Sequence, residues 1–247
     1  MTAVEFCVDG VDALAAADAL GADTLELCSG LALGGLTPSL GLLEHAQTAR
    51  TDIHVLIRPR PGGFCYSALE IGQMVRDVAQ VREMGLAGVV IGAATEERHL
   101  DQTVLQHLID AAEKLPVTLH RVIDTVTDPL AAVDTAIDLG IARILSSGGA
   151  ALAVDGADVL AAMVRHARGR IRIVAGAGLN SGNVASLVRK TGVDGVHGSC
   201  STNLPMPPNP DLFEDGTRSG FDPTEAQAFL AAARSAPRPS GVVDHEA

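Results

Sequence analysis

What most constrains this chain is a strict alternation of two patterns. Eight short strand-like runs stand at AVEFCV (3–8), DTLELC (23–28), IHVLIRPR (53–60), GVVIG (88–92), VTLHR (117–121), RILSS (143–147), RIVAG (172–176) and DGVHGS (194–199). Between them lie Ala/Leu-rich amphipathic stretches near 10–20, 38–49, 67–84, 100–114, 128–139, 155–167 and 180–190. Such alternation implies parallel strands joined by right-handed helical crossovers. An eighth helix is written at 222–236, where Asp222 supplies a cap, Pro223 a first-turn proline and Glu225 a capping-box acid. Eight pairs in 247 residues predict a single (βα)8 TIM barrel of the α/β class rather than an open doubly wound sheet. The domain is expected to cover residues 1–236. A Pro/Asn/Asp/Gly-rich loop is expected at 200–221 and a frayed tail at 237–247.

Composition narrows the function classes. With 47% hydrophobic residues, no Trp and one Tyr, the core must be aliphatic. A formal net charge of -12 and few aromatic rings argue against nucleic-acid binding. No apolar run approaches the roughly 18 residues of a membrane span. The start, MTAVEFCVDG, lacks a secretory pattern, and Cys7, Cys28, Cys65 and Cys200 form no CxxC pair. A cytoplasmic protein with free thiols is expected.

Polar residues in the strands fix which face is interior, because a charge turned toward the helix layer would be buried without partners. Glu5 inward brings Cys7 inward, with Val4, Phe6 and Val8 against the helices. Glu26 inward brings Cys28. Arg58 and Arg60 share one face of the third strand, opposite Val55 and Ile57. Thr118 and His120 share a face of the fifth, and His197 ends the eighth. The expected result is a polar ring at one mouth of Glu5, Glu26, Arg58, Arg60, His120 and His197, with Arg121 and Asp124 just beyond. Function in this fold sits at the C-terminal ends of the strands. A purely structural ion-pair network is the alternative.

Two glycine-rich turns follow late strands: SSGGA (146–150), with Ser147 and Gly148, and GAGLNSGN (176–183), with Gly176 and Gly178. Backbone N–H groups there, and the helix start at Asn180-Ser181, are candidates for holding an anion. Together with Arg58, Arg60, Arg121 and His197 they suit a small phosphate- or carboxylate-bearing metabolite, with Glu5, Glu26, His120 and Asp124 as acid/base groups. Cys7 and Cys28 end neighbouring strands, and two thiolates there would suit a soft ion such as Cu(I). The remaining histidines, His54 among them, are read as surface, helix or strand-start residues without a role.

The blocks ELC (26–28), GGLTPSLG (34–41), IRPR (57–60), FCYS (64–67), LHRVID (119–124), GIARILSSG (140–148) and AGAGLN (175–180) together resemble the CutC family over roughly residues 4–199. The resemblance implies a cytoplasmic (βα)8 barrel that self-associates and takes part in copper homeostasis. It points to a copper ion as partner and to Cys7 and Cys28 as ligands. Phe6 stands where family members often carry a second cysteine on the first strand.

Overall fold

The computed structural model describes residues 1–205 and 217–239. Eight parallel strands close into a barrel in chain order: β1 (Ala3–Val8), β2 (Thr24–Leu27), β3 (Ile53–Leu56), β4 (Gly88–Ile91), β5 (Val117–Leu119), β6 (Arg143–Ser146), β7 (Arg172–Ala175) and β8 (Gly195–Gly198). Closure is made by β1 against β8, with Glu5 opposite His197. The helices follow their strands: α1 (Val11–Asp18), α2 (Leu40–Ala46), α3 (Ala68–Glu83), α4 (Gln102–Ala112), α5 (Pro129–Asp138), α6 (Ala157–Ala167), α7 (Val184–Thr191) and α8 (Pro223–Ser235). The fold is a (βα)8 TIM barrel.

The parity expected of the strands holds. Val4, Phe6, Val8, Leu25, Leu27, Val55 and Ile57 are fully or almost fully buried in one large cluster between strands and helices. A separate small cluster of Cys7, Cys28, Leu56 and Val90 fills the barrel interior. Helix starts are set by local chemistry. Ser67 and Glu70 form a reciprocal capping box on α3, and Asp222 accepts from Thr224 and Glu225 amides ahead of Pro223 on α8.

Four expectations need correction. The third strand stops at Leu56, short of the expected Arg60: the Arg58 amide turns to Thr37 Oγ1 at 2.9 Å, and Pro59 beyond it has no N–H to give a ladder. The stretch read as a loop at 200–221 carries an antiparallel ribbon, β9 (Ser201–Pro205) and β10 (Thr217–Phe221). Its end is anchored where the Phe221 ring meets Phe6 edge-on at 5.6 Å. Residues 206–216 lie outside the described residues, as do 240–247 of the expected tail. Within that tail Arg238 is held, donating to the Gly192 carbonyl at 2.8 Å and pairing with Asp194 at 2.6 Å. Finally, Glu225 is no capping-box acid: its carboxylate crosses to Ser181, ahead of α7. Among the described residues no helix is long and apolar enough to cross a membrane.

Candidate functional site

The barrel interior is built in levels, and the sequence parity put too many groups on one of them. Arg143, which opens β6, reaches across the lower interior. It donates to Glu5 Oε2 (2.6 Å), Thr118 Oγ1 (2.7 Å) and Thr24 Oγ1 (3.3 Å), and lies 2.8 Å from His54 Nδ1. Glu5 also meets His197 Nδ1 at 2.8 Å and accepts from Thr24 at 2.8 Å. Burial alone would raise the Glu5 carboxyl, but Arg143 and then His197 override it and hold it well below the usual carboxylate range. Glu5 therefore lies below the mouth, with both carboxylate oxygens engaged. His54, expected to have no role, is buried here, and burial followed by Arg143 pushes it down to about 4.

Above this level lies a cavity of about 540 Å³ at the C-terminal ends of the strands. Its wall includes Cys7, Glu26, Arg58, Phe64, His120, Arg121, Asp124 and His197. Cys7 Sγ, a Glu26 oxygen and a His197 nitrogen lie within 4.8 Å of one another. Cys7 Sγ is 3.7 Å from Cys28 Sγ and 3.4 Å from Glu26 Oε1. The Cys28 bond, burial and the Glu26 carboxyl together push the Cys7 thiol well above its usual range. Burial likewise raises Glu26, whose Oε2 takes no partner among the described residues. Burial would lower His197, but Glu26 and Glu5 win and raise it. With Nδ1 held by Glu5, Nε2 is the His197 nitrogen left to ligate.

The expected anion sites are occupied from within. Asp124 fills the nest of the first turn. It accepts from Ser146 Oγ (2.6 Å), Ser147 N and Oγ (both 2.9 Å), Gly149 N (3.0 Å) and Arg121 Nε (2.9 Å). Ser147 is thereby spent, and Gly148 packs its Cα face on Gly156, where a Cβ would meet the carbonyl at 2.2 Å. At the second turn Glu225 accepts from Ser181 N (2.6 Å) and Oγ (2.8 Å), filling the position offered to a ligand. Gly176 backs onto His197 and Gly178 onto Leu152. Glu225→Ala is expected to cost about 1–2 kcal/mol, a loss of charge-assisted bonds. Inorganic phosphate should then raise the melting temperature of the variant and not of the wild type, as thermal denaturation would read.

The arginines are also partly committed. Arg58 donates to the Leu33, Gly35 and Gly62 carbonyls at 3.1, 3.0 and 2.9 Å, fastening the loop after β2 to the one after β3. Arg60 pairs with Glu70 and the Gly63 and Cys65 carbonyls outside the cavity wall. His120 is buried, with one ring nitrogen committed to the backbone. The Val122 amide donates to its Nδ1 at 3.0 Å, and burial, then Arg58, pushes it down to about 3.

Sequence reasoning missed Arg143, His54 and Phe64. Arg143 follows a turn, where a charge is ordinarily solvated. Its even spacing from Leu145, an interior residue lining the cavity, was the available signal.

A closed barrel with a thiol- and imidazole-bearing cavity at its strand ends defines a (βα)8 protein whose candidate site is that cavity. The particular family is settled by comparison: the CutC family matches residues 2–202, and the chain belongs to it. The family protein CutC of Caulobacter vibrioides is 50% identical over 202 residues, covering 82% of each chain. That of Pasteurella multocida is 42% identical over 195 residues, covering 78% of this chain and 80% of its own. The crystal structure of the CutC of Streptococcus agalactiae, a protein named for copper homeostasis, superposes with a TM-score of 0.77 at 31% identity, over 81% of this chain and 99% of that one. Phosphoribosyl anthranilate isomerase of Thermococcus kodakaraensis shares the fold, with a TM-score of 0.58 at 17% identity, over 95% of this chain and all of its own.

Proposed function

We propose that the cavity floor binds Cu(I) and that the protein serves copper homeostasis in the cytoplasm as a self-associating barrel. The observation that carries this reading is the convergence of Cys7 and His197 within 4.8 Å, with the Cys28 thiol 3.7 Å from Cys7 and Glu26 beside them. Thiolate and imidazole are the ligands a soft monovalent ion prefers, and the Glu5–His197 bond would orient the ring. Glu26 is a hard donor and would serve as the proton acceptor beside the thiols rather than as a ligand.

The test is a titration of reduced, metal-free protein with Cu(I) against a competing chelator. One ion per chain is expected, with stoichiometric binding lost in a Cys7→Ser/Cys28→Ser variant that keeps its circular dichroism. Because Cys7 is held protonated, ligation must release its proton. Affinity should therefore rise by about tenfold per pH unit for each thiol displaced from its proton. Copper uptake that is unchanged by the double substitution sinks the proposal.

A second reading, an enzyme acting on a small anionic metabolite by acid/base chemistry, is supported by the cavity itself. About 540 Å³ is far more room than one ion takes. Glu26, raised and with one oxygen unpartnered, is the group suited to carry a proton there. Thermal stabilisation by a metabolite in the absence of copper would support it.

A further inference from the structure

Cys7, Glu26 and His197 all reach the cavity wall, and Cys28, fully buried, does not. The three come from the adjacent strands β1, β2 and β8, and each offers a different donor atom: sulfur, oxygen and nitrogen. Those atoms lie within 4.8 Å of one another, with Cys7 Sγ 3.4 Å from Glu26 Oε1. Zinc bonds of about 2.3 Å to sulfur and 2.0 Å to oxygen, at a tetrahedral angle, set such a pair about 3.5 Å apart. Glu26 is 5% exposed, yet its carboxylate makes one hydrogen bond among the described residues, the weak one from the Cys7 thiol. A buried carboxylate so poorly served calls for a cation. His197 is already oriented for one. Glu5 holds its Nδ1 at 2.8 Å and is itself held by Arg143 at 2.6 Å, the carboxylate–imidazole arrangement that aims a zinc-ligating Nε2.

Charge separates the ions this floor could take. A monovalent ion between the two thiolates leaves the floor net negative and Glu26 without a bond to it. One thiolate and one carboxylate balance a divalent ion. We infer that Cys7, Glu26 and His197 bind Zn(II) through one sulfur, one oxygen and one nitrogen, with the fourth position open to the cavity for a water or a ligand oxygen. Three protein ligands and one open position are the pattern of catalytic rather than structural zinc. An ion so placed is a Lewis acid for an oxygen of a small metabolite. That use rests on the second reading above and deepens it, while the ion's site rests on the donors alone. The zinc site needs Glu26 and not Cys28; the copper reading needs Cys28 and not Glu26.

The experiment loads the reduced full-length protein with Zn(II) alone. X-ray absorption at the zinc edge reads the donors, and titration against a competing chelator reads the affinity. Expected are one sulfur at about 2.3 Å beside nitrogen and oxygen donors at about 2.0–2.1 Å. Affinity should fall at least about tenfold in Glu26→Gln and stay largely unchanged in Cys28→Ala. Acetohydroxamate, a chelating oxygen ligand, should bind the zinc-loaded protein and not the metal-free one. If Glu26→Gln fails to fold, the wild-type absorption spectrum decides. Two sulfurs around the zinc, or affinity that depends on Cys28 and not on Glu26, overturns the inference and leaves the copper reading standing. Tight zinc that excludes acetohydroxamate overturns the open position. The absence of saturable zinc binding overturns the inference and leaves both earlier readings in place. Zinc bound as expected, while no metabolite stabilises the chain with or without it, supports the site and overturns the second reading instead.

Discussion

Replacing Arg143 with Met is expected to destabilise the barrel by about 3–5 kcal/mol, the cost of leaving a buried carboxylate without its permanent counter-charge. The geometry explains why this one side chain matters. Its guanidinium bonds to Glu5, Thr24 and Thr118 and meets His54, tying together groups from β1, β2, β3 and β5 from its own place on β6. Removing it leaves Glu5, among the most buried charges of the described residues, with only Thr24 and the weaker, titratable His197 as partners. Urea denaturation of Arg143→Met measures the cost. The companion variant Glu5→Gln/Arg143→Met should recover a large part of it, because the double change removes the unpaired charge. A single-variant cost below about 1 kcal/mol would mean that the network is not holding the lower barrel together.

The second large effect is on acid stability. His54 and His120 are held at about 4 and about 3, below the ordinary histidine value of 6.5. The unfolded chain therefore binds two protons that the folded chain refuses, and their stabilising contribution is whole above pH 6.5. It falls away as pH drops from 6.5 toward 4, at up to roughly 2.7 kcal/mol per pH unit for two protons. Glu26 opposes this in the lower part of the window, since its raised carboxyl takes up a proton in the folded state above its unfolded value of 4.5. His197 acts from the other side. Its raised value means a proton kept on folding below that value and lost as pH climbs through it. Stability should peak near pH 6.5–7 and fall by about 2–4 kcal/mol by pH 5. Urea titrations at the two pH values test this, and His54→Gln should flatten the acid limb by about one proton. A flat profile between pH 7 and 5 would contradict the buried neutral histidines.

The barrel was legible because its evidence is periodic. Eight strand runs and eight helical runs each repeat a pattern set by backbone geometry, and chain order alone then gives the neighbours. The inward parity of Glu5, Cys7, Glu26 and Cys28 was legible for the same reason. Depth along the barrel axis was not. Glu5 and Glu26 face the same interior, yet one sits on Arg143 and the other on the cavity floor, because stagger between strands sets the level and no single strand encodes it. The state of each polar group was also hidden. Arg58, Asp124 and the two glycine turns looked available for a ligand, but the loops fold back and use most of their bonds. Nor did the sequence show that the Val122 amide, two residues on, donates to His120 Nδ1.

The strand register carries one more consequence for the two thiols on the floor. Cys7 lies opposite Glu26, and the Cys28 amide bonds the Val8 carbonyl, so the cysteines are staggered by two residues. With strands about 4.8 Å apart and a rise of about 3.3 Å per residue, their Cα atoms stand roughly 8 Å apart. A disulfide needs Cα atoms within about 7 Å, so this pair meets at its sulfurs but is denied the covalent bond unless the strands slip. The scaffold thus denies this pair a disulfide, and both thiols stay unbridged under conditions that would close a less staggered pair.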